Sequence, residues 1–395
     1  MYTPNVVMDA LNRRAFQEAE QLLNNGKKLP STIDAFALKQ TLSQLIQAKY
    51  FNLLDHFLQE DFISLDIHEY DTFNNTLFEA IVKINVWDEE SLQWLNSLLQ
   101  RVENINNELQ DVTLLGYAFE HGACLEVIKA FITAGCDVHY KNNAEENFLI
   151  QLSDSPQVHV EKALTYLTLL IEEGLDVDQQ NIVGKTALIK ATERNKIAII
   201  DFLLQNGAQA NLVDKNGNSA FYYAVVNMLN LDLYSLLANG ERPDFEHKNK
   251  QGESILLGYL RMMYSDSPNY LALLERLLDD GASLYQTSFY YAQDKSAVDW
   301  IAEKSANVLA LILSKELLDI NQQDNEGNTL LHKVCAFNIN YEKDKARDLY
   351  KKVKLLLDSG ADASLLNDQD KIAADMAAND NLKSKSVELL LSRQL

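Results

Sequence analysis

Two stretches of this chain repeat one pattern at a fixed distance. Gly184 opens the segment GKTALIKA, and Gly217 opens the matching segment GNSAFYYA 33 positions later. A unit of this length is too small to bury its own apolar face, so it has to stack on further copies of itself. The period therefore indicates a repeat array rather than a domain built around one central core.

Two kinds of short signature recur along the chain. One is an apolar helical run that ends in glycine, as in LIEEGLDV, and the other starts a helix with Ser or Thr, as in GNTLLHKV. Glycine after a helix can take the left-handed conformation that stops it, and Ser or Thr can cap the next helix. Helix-ending glycines are predicted at Gly135, Gly174, Gly207, Gly240, Gly281 and Gly360.

These signatures resemble the ankyrin repeat family. The family pattern is approached best by Gly327, Thr329, Leu331 and His332, and by Gly184, Thr186, Leu188 and Ala191. The resemblance implies an all-α ankyrin-repeat solenoid of about nine to eleven helix-turn-helix units with short β-hairpin loops. The units depart from the family pattern in three ways. None has the family's proline after Thr, only one keeps the family's His, and Asp294 and Asp370 stand where the turn glycine is expected.

The predicted solenoid is continuous but has three parts. Degenerate helical repeats are expected over residues 1–110, ankyrin repeats over 111–370 and a C-terminal capping repeat over 371–395. The later units are longer, with insertions after Tyr259 and His332 and in the hairpin that follows Gly281. Insertions in such arrays map to loops, often on the binding face, so these units are where function is expected.

Composition restricts the kinds of partner. A formal charge of −22 and a pI near 4.7 oppose binding to nucleic acid or to an anionic membrane, and favour a protein partner with a basic or neutral surface. Three cysteines make no disulfide framework, and the N-terminal stretch lacks the apolar core of a signal peptide. We therefore expect a monomeric, soluble and cytoplasmic protein.

One spacing imitates a zinc site. His121, Cys124, Cys136 and His139 form HxxC followed by CxxH. The repeat frame places Cys124 at the start of a helix and Cys136 beyond its end, so about ten helical residues separate the two thiols by ~15 Å. Ligands of one zinc ion lie much closer together than that. We predict packing roles for both cysteines and no metal or cofactor site.

His332 and Cys335 are the best candidates for catalysis, because residues three apart share a helix face. The alternative is that His332 bonds backbone in the neighbouring hairpin, as the family resemblance implies, and that Cys335 faces the core. No common catalytic or nucleotide-binding motif occurs elsewhere. We favour the alternative and predict no catalytic residue; an enzyme with an unrecognised site within the array is the competing hypothesis.

Candidate binding residues follow from the resemblance and from aromatic composition. By resemblance, contacts come from residues beside the turn glycine and from the end of each first helix; nine of the 17 tyrosines also lie between positions 222 and 291. The predicted protein-binding residues are Val183, Lys185, Arg194, Asn216, Asn218, Tyr222, Arg261, Met262, Tyr264, Phe289, Tyr290 and Tyr291. Met263 and Lys304 extend the same row. For the triplet at positions 289–291, binding and packing stay equally open.

A rigid array that presents this row on a concave face is suited to protein binding, because little ordering entropy opposes association. The sequence therefore favours a protein-protein interaction module that acts as an adaptor, an inhibitor or an immunity-like binder. A delivered effector that binds a host protein is a further alternative.

Overall fold

The computed structural model describes residues 5–290 and 293–393, and for Phe289 and Gln293 it describes the backbone alone. Tyr291, a predicted binding residue, lies outside the described residues. The chain divides into two compact units, Met1–Ala208 and Gln209–Leu395. The three-part division expected at residues 110 and 370 stays a prediction.

The described part of the first unit consists of six successive helix pairs. They are α1 (Val6–Asn12) and α2 (Phe16–Asn24), α3 (Ala35–Gln47) and α4 (Phe51–Gln59), α5 (Leu77–Val82) and α6 (Glu89–Leu99), α7 (Leu114–Glu120) and α8 (Leu125–Thr133), α9 (Phe148–Asp154) and α10 (Val160–Glu172), and α11 (Ala187–Glu193) and α12 (Ile197–Gln205). A single 3-10 turn, Ile67–Glu69, precedes α5.

The described part of the second unit adds five pairs and one hairpin. The helices are α13 (Ala220–Tyr222), which continues as a π-helix over Tyr223–Asn227, then α14 (Leu231–Gly240), α15 (Ile255–Met262), α16 (Pro268–Asp279), α17 (Ala297–Glu303), α18 (Ala306–Ser314), α19 (Leu330–Ala336), α20 (Lys343–Asp358), α21 (Ala373–Ala377) and α22 (Ser384–Ser392). Strands β1 (Thr287–Tyr290) and β2 (Gln293–Ser296) form the hairpin before α17. The fold class predicted from the repeat signatures is confirmed.

The predicted caps start the first helix of several units. Thr186 Oγ1 accepts a hydrogen bond from the Ile189 amide at 3.2 Å, and Ser219 Oγ accepts one from the Tyr222 amide at 3.3 Å. Ser254 is an exception, because its buried hydroxyl has no hydrogen-bond partner among the described residues. Capping satisfies an amide that has no intrahelical acceptor, so these residues define where each first helix begins.

Residues other than glycine take the left-handed turn conformation in the less regular units. Lys49, with φ of 60°, turns the chain between α3 and α4, and Asp370, with φ of 56°, occupies a hairpin turn as expected. The prediction of a left-handed turn at Gly240 is wrong. Gly240 is the last residue of α14 and is not among the residues with positive φ. The helix ends there, but without the glycine turn that the pattern LLANG predicts.

The prediction that Asp294 occupies the turn position is also wrong. Asp294 lies in β2, where it pairs with Phe289 of β1. The hairpin after Gly281 is longer than the others, so the position counted from the helix start falls within a paired strand. Among residues 5–290 and 293–393 this two-stranded ribbon is the one regular sheet. Over the same residues, no helix combines the length and the apolar character that crossing a bilayer requires.

Large tyrosines fill the interior of both units. Tyr234 and Tyr259 are fully buried, and Tyr166 in the first unit is almost so. Each phenol has an acceptor: Tyr234 donates to Asp280 Oδ2 at 2.6 Å and Tyr259 donates to the Tyr270 carbonyl at 2.6 Å. Burying an aromatic ring removes a large apolar area from water, and the hydrogen bond avoids the cost of an unsatisfied hydroxyl.

Buried lysines cap the ends of first helices. The Lys352 ammonium group on α20 is 2% exposed and donates to the Ala302 carbonyl at 2.9 Å and to the Lys304 carbonyl at 2.8 Å, at the end of α17. Lys383 does the same at the end of α19, for Cys335 and Phe337. A positive charge at a helix C-terminus also interacts favourably with the helix dipole. Each of these lysines therefore joins its own repeat to the preceding one.

Replacing Lys352 with Met should lower the free energy of unfolding by about 2–4 kcal/mol, since two buried carbonyls lose a charged donor. Urea unfolding followed by circular dichroism measures the change. Lys351→Met, an exposed position on the same helix, is the matched control and should stay within about 0.5 kcal/mol of wild type. Equal midpoints for the two variants would contradict the capping role of Lys352.

Candidate functional site

An open groove of 640 Å³ lies within the second unit. Its walls come from two successive hairpins, from the first helices of two consecutive repeats and from β1. Five predicted binding residues line it, namely Asn218, Tyr222, Arg261, Met262 and Tyr290. The residues that sequence reasoning did not select for this surface are Tyr223, Val226, Asn249, Gln251, Glu253 and Ser288. The lining is thus a mixture of amides, aromatic rings and one ion pair, with little net charge.

The ion pair joins Glu253 and Arg261 at the groove. Arg261 Nε donates to Glu253 Oε1 at 2.7 Å, and Arg261 Nη2 donates to Glu253 Oε2 at 2.9 Å. This two-point contact is the strong geometry for a guanidinium and a carboxylate, and hydrogen bonding to Glu253 raises the pKa of Arg261 above its ordinary value. Arg261, predicted as a contact residue, is therefore already engaged inside its own repeat.

Tyr222 requires a correction. The sequence predicts an exposed aromatic ring on a first helix, but the side chain is only 8% exposed. Its phenol donates to Glu253 Oε2 at 2.6 Å, and burial, with Glu253 as a further cause, raises the pKa of that phenol. The ring turns inward because the carboxylate of the next repeat supplies an acceptor. Tyr222 supports the groove rather than offering a free surface.

Gly258 leaves the space that the Glu253 carboxylate occupies. A Cβ atom at this helical position would lie 2.9 Å from Glu253 Oε2 and 2.9 Å from Val226 Cγ2. Real Cβ atoms do not approach other atoms so closely, so any side chain here would displace the carboxylate or the neighbouring helix. The arrangement of Tyr222, Glu253 and Arg261 therefore depends on Gly258. This glycine lies within a helix and is needed for the space it leaves, not for a turn conformation.

The π-helix places exposed residues beside the groove. The Met228 amide donates to the Tyr223 carbonyl five residues earlier at 3.0 Å, and Asn227 at the end of this segment is exposed. Gly217 and Gly252 are 35 residues apart instead of 33, so this repeat has extra length to accommodate. Wider helical turns of this kind often occur at functional sites.

The remaining predicted residues of the second unit differ in exposure. Met262 is 40% exposed in the groove, whereas Tyr264 is 80% exposed beyond the end of α15 and does not line the groove. Asn216 is exposed in its hairpin. Met263 is a correction, since it is 2% exposed. The Phe289 side chain lies outside what the structure describes.

Lys304 was predicted to extend the row of contacts, but its side chain is engaged within the protein. Its ammonium group donates to the Met263 carbonyl at 2.7 Å, at the end of the preceding first helix, and burial lowers its pKa. A side chain that caps a neighbouring helix is not available to a partner, so the row of predicted contacts ends before this residue.

Three predicted residues lie in the first unit and form no part of this groove. Val183 is 47% exposed in its hairpin. Lys185 forms an ion pair with Glu193 at 2.6 Å, and Arg194 forms one with Asp154 at 2.6 Å. Arg194 lines a separate pocket of the first unit. The structure thus distributes the predicted row over two distinct surfaces.

An ion pair between residues eight positions apart recurs in three repeats. It joins the arm of a hairpin to the end of the following first helix. The pairs are Lys185 with Glu193, Glu253 with Arg261, and Lys295 with Glu303. Opposite charges at this spacing are visible in the sequence, and they were the signal that could have identified Glu253 as a groove residue.

The cysteines and histidines occupy the positions that the repeat frame predicts. Cys124 is the N-cap of α8, and Cys136 is buried beyond the other end of that helix. His332 Nε2 lies 3.1 Å from the Lys371 carbonyl in the neighbouring hairpin, and its Nδ1 is bonded to Thr329. Burial raises the pKa of the Cys335 thiol to about 12, which disfavours the thiolate that a nucleophile requires.

Comparisons with known proteins agree with this architecture. The family model of ankyrin repeats in three copies matches residues 158–249. An ankyrin repeat protein of Acanthamoeba polyphaga mimivirus is 35% identical over 111 residues, which cover 27% of this chain and 68% of that protein. The chain belongs to the ankyrin repeat family.

Other similarities extend over longer parts of this ankyrin repeat chain. A second mimivirus ankyrin repeat protein is 23% identical over 209 residues, or 51% of this chain, but only 25% of that protein is spanned. NF-kappa-B inhibitor delta of Mus musculus is 28% identical over 203 residues, which cover 47% of this chain and 59% of that protein. The solved ankyrin repeat domain of Bcl-3 has a TM-score of 0.48 at 20% identity, over 62% of this chain and 96% of that domain.

Gly258→Ala should destabilise this ankyrin repeat chain by about 1–3 kcal/mol through overpacking, although Ala favours helices over Gly by about 1 kcal/mol. The control is Gly240→Ala, because Gly240 is also helical and no described atom beyond its chain neighbours and its own helix backbone lies within 4 Å of the position that the added methyl group would occupy. That variant should be neutral or slightly more stable. Chemical denaturation of both proteins measures the difference, and a stabilised Gly258→Ala would contradict the packing described for Glu253.

Thiol labelling tests the cysteine assignment. At pH 8 a maleimide should label Cys124, which is partly exposed, and should leave Cys136 and Cys335 unmodified, because both are buried and protonated. Mass spectrometry of the folded protein should show one adduct, and unfolding in urea should give three. Rapid labelling of Cys335 in the folded protein would favour the enzyme hypothesis.

Proposed function

We propose that this ankyrin repeat protein binds another protein through the groove of the second unit and has no chemistry of its own. The observation that carries the proposal is that five residues predicted from the sequence meet in the groove, Tyr222 and Arg261 as its internal support and Asn218, Met262 and Tyr290 as further lining. Met262 and Asn227 are exposed there, and Tyr290 is half-buried. An open, largely neutral surface with aromatic and amide groups suits a segment of another protein.

The internal ion pairs support a preformed site. Glu253 holds Tyr222 and Arg261 in place in the free chain, so binding a partner requires little rearrangement of these side chains. The paired charges also explain how a chain of formal charge −22 offers a groove without strong negative character. A partner segment with a neutral or weakly basic surface fits this lining.

Adaptor, inhibitor, immunity-like binder and delivered effector all use such a surface in the same way. The name of the mouse relative, an NF-kappa-B inhibitor, favours an inhibitor among these roles. We propose a monomer that acts in the cytoplasm. The buried Cys335 and the engaged His332 give no support to the enzyme hypothesis.

The test is capture of partners by the immobilised full chain from a lysate of its source cells, followed by mass spectrometry. Asn227→Glu combined with Met262→Glu places two carboxylates in the groove and should abolish capture, with at least a tenfold loss of affinity for any partner identified. The control, Asn269→Glu combined with Leu317→Glu, makes matched changes at exposed positions outside the groove.

Circular dichroism should show equal helicity for both double variants. The same set of proteins captured by wild type and by the groove variant would contradict the assignment of this groove. A wild-type chain that retains nothing above the empty support would contradict the binding function itself.

A further inference from the structure

A second cavity lies wholly within the first unit and differs in chemistry from the groove. Its volume is 320 Å³, and it is formed by the hairpins and first helices of the repeats that contain α7 and α9, with Arg194 from the next repeat at its border. No residue of the groove belongs to it. It therefore requires an explanation of its own.

Aromatic rings form part of the cavity lining. Phe119 and Phe148 meet edge to face with ring centroids 5.1 Å apart, and Tyr140 lies 5.7 Å from Phe148 in a tilted arrangement. Phe119 and Phe148 are buried, whereas Tyr140 is half-buried. Of the three rings, Tyr140 is the one with accessible surface in the cavity, and an accessible aromatic face attracts a cation as well as an apolar side chain. Phe119 and Phe148 support it from within.

Carboxylates surround the same cavity. Asp111, Glu120, Glu146 and Asp154 line it, against the single guanidinium group of Arg194. Lys190 partly neutralises two of them, with its Nζ 2.9 Å from Asp154 and 3.5 Å from Glu146. Glu120 and Asp111 are exposed and form no ion pair among the described residues. Burial is the largest cause that raises the pKa of Tyr140 to about 12, and the nearby carboxylates Glu108 and Asp111 raise it further. The contribution of the carboxylates agrees with a negative electrostatic potential in the cavity.

The chain's own Arg194 shows how this lining receives a guanidinium. Its Nε donates to Asp154 Oδ1 at 2.6 Å at the border of the cavity, which leaves Asp111 and Glu120 without such a partner. A planar guanidinium can stack on an aromatic ring while its N–H groups bond a carboxylate, and an ammonium group does this less well.

We infer that this cavity is a docking site for an arginine side chain in an extended segment of a partner protein. The aliphatic part of the arginine packs on the half-buried ring of Tyr140, and its guanidinium group pairs with Glu120 and Asp111. This function goes beyond the groove of the second unit and does not depend on it.

The test uses three fluorescein-labelled nonapeptides of sequence Gly-Ser-Gly-Ser-X-Ser-Gly-Ser-Gly, with X as Arg, Lys or Gln. Each is titrated with the full chain at low ionic strength and followed by fluorescence anisotropy. The arginine peptide should bind at least tenfold more tightly than the glutamine peptide, with the lysine peptide between them. Equal binding of arginine and glutamine peptides, or no binding of the arginine peptide, would overturn the inference, and equal binding of arginine and lysine would overturn the choice of arginine.

Matched variants separate a specific site from the general attraction of an acidic chain. Asp111→Asn combined with Glu120→Gln removes two cavity charges; Asn retains the tolerance for the left-handed conformation that Asp111 adopts. This pair should weaken arginine-peptide binding at least tenfold. Glu172→Gln combined with Glu173→Gln removes two exposed charges elsewhere in the same unit and should have little effect.

Equal loss in the two pairs would show attraction by net charge alone and would contradict the site. Partner capture by the groove is a separate readout. The cavity pair can lose peptide binding while the groove retains its partner, so the two proposals succeed or fail independently.

Discussion

The shortness of the first helices is the constraint on which the rest of this structure depends. A helix such as α11 has seven residues, so most of its backbone amides and carbonyls lie within four residues of an end and lack an intrahelical partner. Thr186 and its counterparts satisfy amides at the start. Lysines of the following repeat satisfy carbonyls at the end, as Lys196 does for Ser155 at 2.5 Å. The repeats that contain α9, α15, α17 and α19 are thus completed chemically by a neighbour. This is a stronger dependence than apolar stacking alone.

That dependence explains what the sequence could and could not predict. The period, the caps and the helix pairs were predictable because they repeat local signals, such as Gly184 and Thr186, in successive units. The inward turn of Tyr222 was not, because its cause is Glu253 in the next repeat and the vacant space at Gly258. A residue's own position in the repeat frame says nothing about the acceptor that a neighbour will offer.

The charges show the same limit in another form. Lys185, Arg194 and Arg261 were predicted as contacts from their positions beside the turn glycine or at the end of a first helix. Each is paired with a carboxylate of the same or the preceding repeat. The net charge of the chain therefore gives little information about the potential at one surface. That potential depends on which carboxylates have no ion-pair partner, and the ion pairs form only when the repeats are folded and stacked.

Because of these ion pairs, the two candidate surfaces should respond differently to added salt. In the groove, Glu253 and Arg261 neutralise each other at short range, so added salt has little long-range field to screen. In the cavity of the first unit, Asp111 and Glu120 have no ion-pair partner among the described residues, and the proposed attraction of a cation there should weaken as ionic strength rises. The two proposed surfaces thus offer two different recognition chemistries. In the groove the charged side chains form ion pairs within the protein, whereas in the cavity two carboxylates have no ion-pair partner among the described residues.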